Sequence, residues 1–370
     1  MTVHIQTDAR YDVSQIREFL ETTDFIESIK DFKRILVKPN LLGPHSPDKA
    51  VTTHPDVIRA VVSMITDRGK QVIIGDSPGG LVPAAKVYET TGVKAVAEEF
   101  RTKLVVFEKE GFRVIQYNNS DLHIANPYFD CDSVVNICKY KTHGMMQFTG
   151  AVKNLYGFIP GLKKALHHRD RPDTKSFSLL LADLYMALKP KLAYHIMDGI
   201  VGMDGEGPSA GNPYPFGILF ASSSAPELDA VASRMMGFRS GDIAHINTVL
   251  ERDGILPSRI DIRGCADDYV FSSANIRTVR IKSLLFEKTP PWAWFIFKKL
   301  FDFYPDFNSK CVKCGICVKS CPVNAMTMPT DGNHPVIDYS KCINCLCCHE
   351  LCPYQAVYIK KTWLAKRLIP

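Results

Sequence analysis

The chain lacks any long hydrophobic run. No apolar stretch among its 370 residues approaches the roughly eighteen residues that a membrane-spanning helix needs. The N-terminal stretch MTVHIQTDARYDVSQ has neither the basic region nor the apolar region of a secretory signal. A strong charge of one sign is also missing, because the net charge of +6 is small for this length and does not point to nucleic acid. We therefore expect a cytoplasmic protein with no transmembrane segment and no nucleic-acid partner.

Cysteine is scarce in most of the chain and concentrated near its end. Of the 12 cysteines, Cys131, Cys138 and Cys265 are isolated. The others lie in CVKCGICVKSCP, which starts at Cys311, and in CINCLCCHELCP, which starts thirty-one positions later at Cys342. Each run contains the spacing CxxCxxCxxxCP, which is typical of iron–sulfur ligands. Zinc ligation, which favours paired CxxC units, and a disulfide framework are the alternatives. Iron–sulfur ligation needs reduced thiols, in agreement with a cytoplasmic location.

Both runs resemble those of bacterial two-cluster ferredoxins, in which three cysteines of a run hold one [4Fe-4S] cluster and the fourth reaches the other. The resemblance implies two [4Fe-4S] clusters, one held by Cys311, Cys314, Cys317 and Cys352 and the other by Cys342, Cys345, Cys348 and Cys321. The repeat extends beyond the cysteines, since Ser309-Lys310 matches Ser340-Lys341 at the same offset, which indicates an internal duplication. Cys347 fits neither ligand set, and packing is its simplest explanation.

Most of the chain before residue 284 has the pattern of an α/β domain, in which short β-branched runs alternate with segments of helical period. The clearest runs are Ile35–Val37, Val72–Ile74, Leu104–Val106, Val134–Ile137 and Ile218–Phe220. This alternation predicts a mostly parallel sheet with flanking helices. We place the α/β domain at 1–283, an aromatic-rich connecting segment at 284–307, a small C-terminal α+β ferredoxin-like domain at 308–360 and a basic tail at 361–370.

The connecting segment differs in composition from both of its neighbours. Trp292 and Trp294 lie in it among several phenylalanines and beside Lys298-Lys299. One interpretation is a helix that packs the ferredoxin-like domain on the α/β domain. The other is an interfacial helix that makes peripheral contact with a membrane or a partner. The first is favoured, because an exposed aromatic surface of that size is unusual without a partner.

Polar residues follow two of the predicted strands. Lys38 and Asn40 come directly after the first run, and Asp76 and Ser77 follow the second run in the loop GDSPGG. Ligands of open α/β sheets bind outside the carboxyl ends of the strands, so these four residues lie where a site is expected. The loop is neither a Walker A loop nor GxGxxG. A solvated lysine and a plain turn are the alternatives.

Basic residues are concentrated between positions 139 and 171. Lysine or arginine occupies positions 139, 141, 153, 163, 164, 169 and 171, against Asp170 alone. Such an excess favours an anionic ligand, a carboxylate or a phosphate, and a solvated basic face is the alternative. Lys141, Lys153 and Asn154 are the candidate binding residues of this region. His143 is able to exchange a proton near neutral pH.

An acidic, glycine-rich loop follows a later strand. Its sequence, MDGIVGMDGEGP, contains Asp198 and Asp204. Carboxylates on a flexible loop are able to bind a hard cation or to position a basic group. The glycines nearly form a dinucleotide-binding fingerprint, but prolines stand where the following helix should begin.

Several segments of the chain resemble, in this order, the family catalogued as domain of unknown function 362. They are VKPNLLG, TTHPDVIRAV, VIIGDSPGG, KTHGMMQFTGAVKNLYGFIPG, DGIVGMDGEGP and ELDAVASRMMGF. Members of that family are frequently joined to a C-terminal two-cluster ferredoxin module, and the family has no general assigned reaction. The resemblance implies a shared site, without roles, formed by Lys38, Asn40, Asp76, Ser77, Lys141, His143, Lys153, Asn154, Asp198 and Asp204.

Two functions agree with the sequence. In the first, the protein is an oxidoreductase, in which electrons from a redox partner protein or other donor pass through the clusters to an anionic substrate or cofactor in the α/β domain. Lys141 and Lys153 then bind the anionic group and His143 supplies or accepts a proton, so these three are the predicted catalytic residues. In the second, the protein is a non-catalytic electron carrier or maturation partner whose α/β domain docks on another redox enzyme. The candidate acid–base groups favour the first.

Overall fold

The computed structural model describes residues 1–79, 82–118, 120–161, 163–266, 269–277, 279–280 and 303–362. They form a large α/β unit up to residue 280 and a small unit from residue 303 onwards. The predicted domain boundary at 283–284, residues 284–302 of the aromatic segment and residues 363–370 of the basic tail lie outside the described residues.

One large sheet organises the α/β unit. In chain order the strands of this unit are β1 (Thr2–Gln6), β2 (Arg34–Pro39), β3 (Gln71–Asp76), β4 (Lys103–Val106), β5 (Phe112–Tyr117), β6 (Ser120–Ala125), β7 (Ser133–His143), β8 (Gln147–Thr149), β9 (Leu192–Asp204), β10 (Asn212–Tyr214), β11 (Ile218–Ser222) and β12 (Asp261–Arg263). The sheet has the order β12-β1-β11-β9-β7-β2-β3-β4, with β8 paired to β7 and β10 to β9. Strands β9, β7, β2, β3 and β4 are all parallel. The predicted mostly parallel sheet is therefore confirmed.

Helices cover both faces of this sheet. They are α1 (Val13–Glu21), α2 (Phe25–Ile29), α3 (Pro55–Thr66), α4 (Ala84–Thr90), α5 (Val93–Glu99), α6 (Pro127–Asp130), α7 (Ala151–Asn154), α8 (Lys163–Asp170), α9 (Thr174–Leu188), α10 (Ala225–Met235) and α11 (Ala244–Arg252). Successive residues of a strand point to opposite faces, so Val134 packs in the core with Phe177 of α9, and Val135 packs in the other core with Val61 of α3. Burial on both faces explains why these strands have continuous apolar runs.

The small unit, which we call the ferredoxin-like unit, contains two short helices and two small sheets. Its elements are β13 (Phe303–Phe307), α12 (Ile316–Lys319), β14 (Met326–Thr327), β15 (Val336–Ile337), α13 (Cys347–Glu350) and β16 (Val357–Lys361). Strand β13 pairs antiparallel with β16, and β14 with β15. Phe307 packs in the core of this unit, so the last five residues of the predicted connecting segment form one of its strands.

Candidate functional site

A cavity of about 110 Å³ lies between the two units, at the carboxyl ends of β2, β3 and β7. Its walls in the α/β unit include the predicted site residues Asn40, Asp76, Ser77, Lys141, Lys153 and Asn154. Its walls in the ferredoxin-like unit are Ser320, Cys347, Glu350 and Leu351. A buried water needs roughly 10–15 Å³ of such volume, so this interdomain cavity has room for a small molecule.

Lys38 and Asp76 form a buried ion pair beside the cavity. The Lys38 Nζ lies 2.8 Å from Asp76 Oδ1, and both side chains are almost fully shielded from solvent. The other oxygen of Asp76 accepts a hydrogen bond from Leu41 N at 2.9 Å. Burial lowers the pKa of Lys38, and the attraction of Asp76 opposes this effect. A side chain at Gly157 would collide with both groups, so glycine at this position lets the pair form.

Three asparagine side chains, two of them in the cavity wall, are linked by hydrogen bonds. Asn40 Nδ2 donates to Asn154 Oδ1 at 3.0 Å, and Asn154 Nδ2 donates to Asn136 Oδ1 at 2.7 Å. Asn136 in turn donates to the carbonyl of Ala151 at 3.0 Å. These bonds fix the orientation of the two cavity amides, of which the first comes from the loop after β2 and the second from α7.

Ser77 and Lys164 form a third part of the wall. The Lys164 Nζ donates to Ser77 Oγ at 2.8 Å, and the Ser77 hydroxyl donates to Glu108. Burial lowers the pKa of Lys164 to about 8, although the carboxylates of Asp76 and Glu108 act in the opposite direction. Lys164 therefore adds a further cationic group to the cavity.

Helix α7 places Lys153 at the cavity. Asp229 accepts hydrogen bonds from Ala151 N at 2.6 Å and from Val152 N at 2.9 Å, and so caps the start of this helix. A Cβ atom at Gly150 would overlap the Asp229 carboxylate. Among the described residues the ammonium of Lys153 has no hydrogen-bond acceptor. Burial lowers its pKa, and the nearby Glu350 opposes this effect.

Lys141 reaches the cavity from the end of β7 and is almost fully buried. Its ammonium donates to the carbonyl of Val51 at 2.6 Å. Burial, together with the positive charges of Lys153 and Lys139, lowers its pKa to about 7. At neutral pH this amine is therefore poised between its charged and neutral forms.

His143 contacts the ferredoxin-like unit. Its Nδ1 accepts hydrogen bonds from Met145 N and Met146 N, each at 3.1 Å, so in the neutral ring the proton is on Nε2. Nε2 lies 3.2 Å from Glu350 Oε1, without the geometry of a hydrogen bond. Burial, and then the charge of Lys153, lowers the pKa of His143 well below its usual value. His143 is not part of the cavity wall but lies directly behind Glu350.

Several polar atoms in the cavity wall lack a partner in the described part of the chain. They are Asn40 Oδ1, Thr149 Oγ1, His168 Nδ1 and Ser320 Oγ. An unsatisfied buried polar atom costs about 1–3 kcal/mol, and such atoms are rare in folded proteins. Their concentration around one cavity indicates a polar occupant.

Asp198 and Asp204 do not reach this cavity. Asp198 lies opposite Lys139, with Oδ2 2.7 Å from the Lys139 Nζ, and it also accepts bonds from Tyr11 Oη and His54 N. Asp204 accepts a hydrogen bond from Asn275 N at 2.8 Å. Both carboxylates are thus bound by ammonium, hydroxyl or N–H donors. Among the described residues, no three His, Cys, Asp or Glu side chains are close enough together to bind a single metal ion.

The first set of predicted cluster ligands meets at a second cavity. Cys311, Cys314, Cys317 and Cys352 all line it, although Cys352 comes from the other half of the repeat. Burial, and then the proximity of the other three thiols, raises the pKa of Cys317 to about 11. Four thiols around one cavity are a donor set that suits a [4Fe-4S] cluster.

The second predicted set also comes together. Burial raises the pKa of Cys348, and the nearby thiols of Cys345, Cys342 and Cys321 act in the same direction, as does Cys317 of the first set. The exchange of the fourth cysteine between the two halves thus has the form that the ferredoxin resemblance implies. Ligation by these eight residues stays a prediction.

Sequence reasoning missed Glu350 and treated Lys164 only as one of many basic residues. Glu350 is one of the three residues between Cys348 and Cys352 whose identity the ligand spacing does not specify, so nothing local connects it to the α/β unit. Cys347, which was assigned to packing, is buried and lines the interdomain cavity. Its lack of a place in either ligand set was the available signal.

Family models match two separate parts of the chain. The domain of unknown function DUF362 matches residues 35–234, and a 4Fe-4S dicluster domain matches residues 310–356. The chain belongs to the DUF362 family. The DUF362 match covers the strands from β2 to β11 and α10, and so includes every cavity residue of the α/β unit named above. The dicluster match indicates that the ferredoxin-like unit binds 4Fe-4S clusters.

Two known proteins resemble the chain. The thylakoid-associated protein sll1697 of Synechocystis sp. (strain ATCC 27184 / PCC 6803 / Kazusa) is 31% identical over 237 residues, which are 63% of this chain and 72% of that protein. The lactate racemase apoprotein from Thermoanaerobacterium thermosaccharolyticum superposes with a TM-score of 0.38 at 16% identity. That superposition covers 58% of this chain and 53% of the racemase chain, and at this level of likeness it supports no inference about activity.

The described helices bear on whether the chain crosses a membrane. In the described part of the chain, no helix has both the length and the apolar character needed to cross a bilayer. The predicted cytoplasmic location stays a prediction. Residues 284–302, for which peripheral membrane contact is one of the two predictions, lie outside the described residues.

Proposed function

We propose that the protein is an iron–sulfur oxidoreductase that reduces an anionic substrate or cofactor bound in the interdomain cavity. One observation carries the proposal, namely that residues of both units line the same cavity. Lys141 and Lys153 come from the DUF362 domain, and Cys347 and Glu350 come from the dicluster domain. A reducible molecule bound there would lie next to Cys347, which stands between the predicted cluster ligands Cys345 and Cys348 in the sequence.

The cluster ligands would be the two sets of four cysteines described above. When bound, the two [4Fe-4S] clusters would supply electrons one at a time. A reduction that adds two hydrogen atoms to the substrate takes up two electrons and two protons, and we assign the supply of those two protons to groups in the cavity wall.

Charge supports an anionic ligand. Lys153 and Lys164 present ammonium groups to the cavity, and Lys153 has no acceptor among the described residues. A carboxylate or phosphate would give that ammonium a partner and would accept from the unsatisfied Ser320 and Thr149 hydroxyls. Binding of an anion would also offset the cost of burying these cations close together.

Proton delivery is assigned to Lys141 and Glu350. The pKa of Lys141 is lowered to about 7, which suits a group that donates a proton at neutral pH. Burial raises the pKa of Glu350, so its carboxyl holds a proton more readily than a solvated one. Each gives one of the two protons. His143 is neutral because of its lowered pKa, and we assign it no proton transfer, in contrast to the expectation from the sequence. Its contact with Glu350 at 3.2 Å restricts where that carboxyl can lie.

The test uses the intact protein, purified anaerobically and reduced with dithionite. After removal of excess reductant, small carboxylates and phosphates are screened for reoxidation of the protein, followed by its visible absorbance. We expect at least one compound to reoxidise it, and Lys153→Ala to slow that reaction about 100-fold. The matched control is Lys175→Ala, an exposed lysine outside the cavity, which should react at the normal rate.

If no compound reoxidises the protein, or if Lys141→Ala and Lys153→Ala leave every rate unchanged, the enzyme proposal fails. The non-catalytic carrier is then the better description. Iron and sulfide analysis provides the accompanying check on the clusters, with about eight of each expected per chain.

A further inference from the structure

The two halves of the ferredoxin-like repeat have different surroundings. In the first half Cys314 is exposed, and so are its neighbours Val312 and Lys313. In the second half the corresponding Cys345 is buried, whereas Cys317 and its counterpart Cys348 are both buried. The two runs have the same cysteine spacing, so this difference arises from what each run contacts.

The second run packs on the α/β unit. A Cβ atom built at Gly79 would lie 2.5 Å from the side chain of Leu351, and one at Gly144 would lie 3.7 Å from the side chain of Leu346. Cys347 and Glu350 of the same run line the interdomain cavity. A protein that approaches from solvent therefore reaches Cys314 of the first run directly, whereas the corresponding Cys345 of the second run is shielded.

The exposed first run is basic. Lys310, Lys313 and Lys319 are all exposed, and no acidic residue occurs between Asp306 and Asp331. The carboxylate of Asp306 is already paired with Lys360 at 2.8 Å. The positive charge of the run is therefore not neutralised by acidic residues of the run itself.

An apolar centre accompanies these charges. Val312 is 55% exposed and Tyr354 is 44% exposed, and both line the cavity surrounded by the first cysteine set, together with Lys313. Apolar and aromatic residues within a charged rim are typical of protein–protein interfaces. We call Lys310, Val312, Lys313, Lys319 and Tyr354 the first-run surface.

We propose that the first-run surface is the docking site for an acidic electron-donor protein. Charge complementarity selects this occupant, because a basic rim attracts an acidic partner and steers it to productive encounters. Redox complexes of this kind use small interfaces, so a surface made of a few residues agrees with such a partner. The proposal does not depend on which molecule occupies the interdomain cavity, so it can fail or stand separately from the proposed reaction.

The test measures binding directly. The holoprotein is immobilised anaerobically, and association of an acidic plant-type ferredoxin is followed by interferometry at low and high ionic strength. We expect Lys310→Glu/Lys313→Glu to lower the association rate constant about tenfold or more at low ionic strength, because charges at the rim act mainly on association. The difference should largely vanish at high salt, where screening is short-ranged.

The matched control is Lys33→Glu/Lys103→Glu, which changes the net charge by the same amount. Both lysines are exposed and lie at the amino ends of β2 and β4, whereas the interdomain cavity lies at the carboxyl ends of the strands. We expect this variant to bind the ferredoxin almost as the wild type does. Unchanged iron content and an unchanged dithionite-reduced spectrum in both variants show that the ferredoxin-like unit is intact.

Three outcomes would overturn the proposal. The first is equal loss of binding in the test and control variants, which indicates an effect of net charge alone. The second is unchanged ferredoxin binding in the test variant. The third is sedimentation with phosphatidylserine vesicles that is lost in the test variant while ferredoxin binding is retained, because the basic run then serves an anionic membrane surface.

Discussion

Lys139 and Lys141 lie two residues apart on β7 and are both buried. The charges around their ammonium groups are different. The Lys139 ammonium is 2.7 Å from Asp198, whose carboxylate also accepts bonds from Tyr11 and His54. Lys141 has a carbonyl as its acceptor and other lysines as its neighbours. The first lysine thus belongs to a complete internal ion pair. Among the described residues the second makes no ion pair, although the carboxylates of Glu350 and Asp76 act on it from a greater distance.

The register between β7 and β9 causes this difference. Lys139 pairs with Asp198, but an irregularity follows, and Lys141 pairs with Met203. Bulges of this kind redirect side chains and are frequent near active sites. The carboxylate available to one lysine is therefore out of reach of the next, although both come from the same short sequence.

The largest expected effect concerns stability at the complete pair. Asp198→Asn leaves the Lys139 ammonium buried without a counter-charge, and we expect a loss of about 3–5 kcal/mol in the free energy of unfolding. Urea denaturation of the anaerobic holoprotein measures it. The exposed Asp31→Asn provides the control, with a change of at most about 0.5 kcal/mol.

The double replacement Lys139→Met/Asp198→Leu sharpens this prediction. Removal of both charges should restore much of the lost stability, because a buried ion pair is often replaceable by apolar groups. If Asp198→Asn is as stable as the wild type, the contrast between the two lysines is wrong.

The second prediction concerns the incomplete site. Lys153→Ala should weaken binding of inorganic phosphate or small dicarboxylates about 10- to 100-fold, since a hydrogen bond to a charged group contributes about 1.5–3 kcal/mol. Stability should change by less than about 1 kcal/mol, because the Lys153 ammonium has no hydrogen-bond acceptor among the described residues that could be lost. Isothermal titration calorimetry measures the affinity. A large loss of stability with unchanged affinity would assign Lys153 a structural role.

The third effect is a pH dependence. The pKa of Lys141 is about 7 in the folded protein and about 10.4 when unfolded. Between these values the unfolded chain binds more protons, so this group makes stability rise with pH, by at most about 1.4 kcal/mol per pH unit. Lys141→Met should therefore show a smaller gain between pH 7 and pH 9 in urea denaturation. Lys175→Met should keep the slope of the wild type, and identical slopes for all three proteins would contradict the prediction.

The cysteine runs and the strand pattern were predictable because their information is local. Ligand spacing is a property of a dozen consecutive residues, and the β-branched runs around Val37, Ile74 and Val135 lie in strands as expected. The grouping of Asn40 and Asp76 near one edge also followed from the rule for parallel strands. That rule does not extend to Asp198, which lies on a neighbouring parallel strand but faces Lys139.

Glu350 shows what could not be predicted. It is separated by more than two hundred positions from His143, yet the two side chains are 3.2 Å apart. No periodicity or motif connects them, because their contact depends on how the ferredoxin-like unit packs on the α/β unit. The same packing separates the environment of Cys314 from that of Cys345, which the repeat makes equivalent.

The sequence by itself determined the fold class, the membership of the DUF362 family and the presence of a 4Fe-4S dicluster domain, because strand patterns and ligand spacings are encoded in short segments. The tertiary structure alone decided which buried charges are paired internally and which are not. That outcome depends on the β7–β9 register and on the contact between the two units, where the free energy of a buried charge is determined by neighbours distant in the chain.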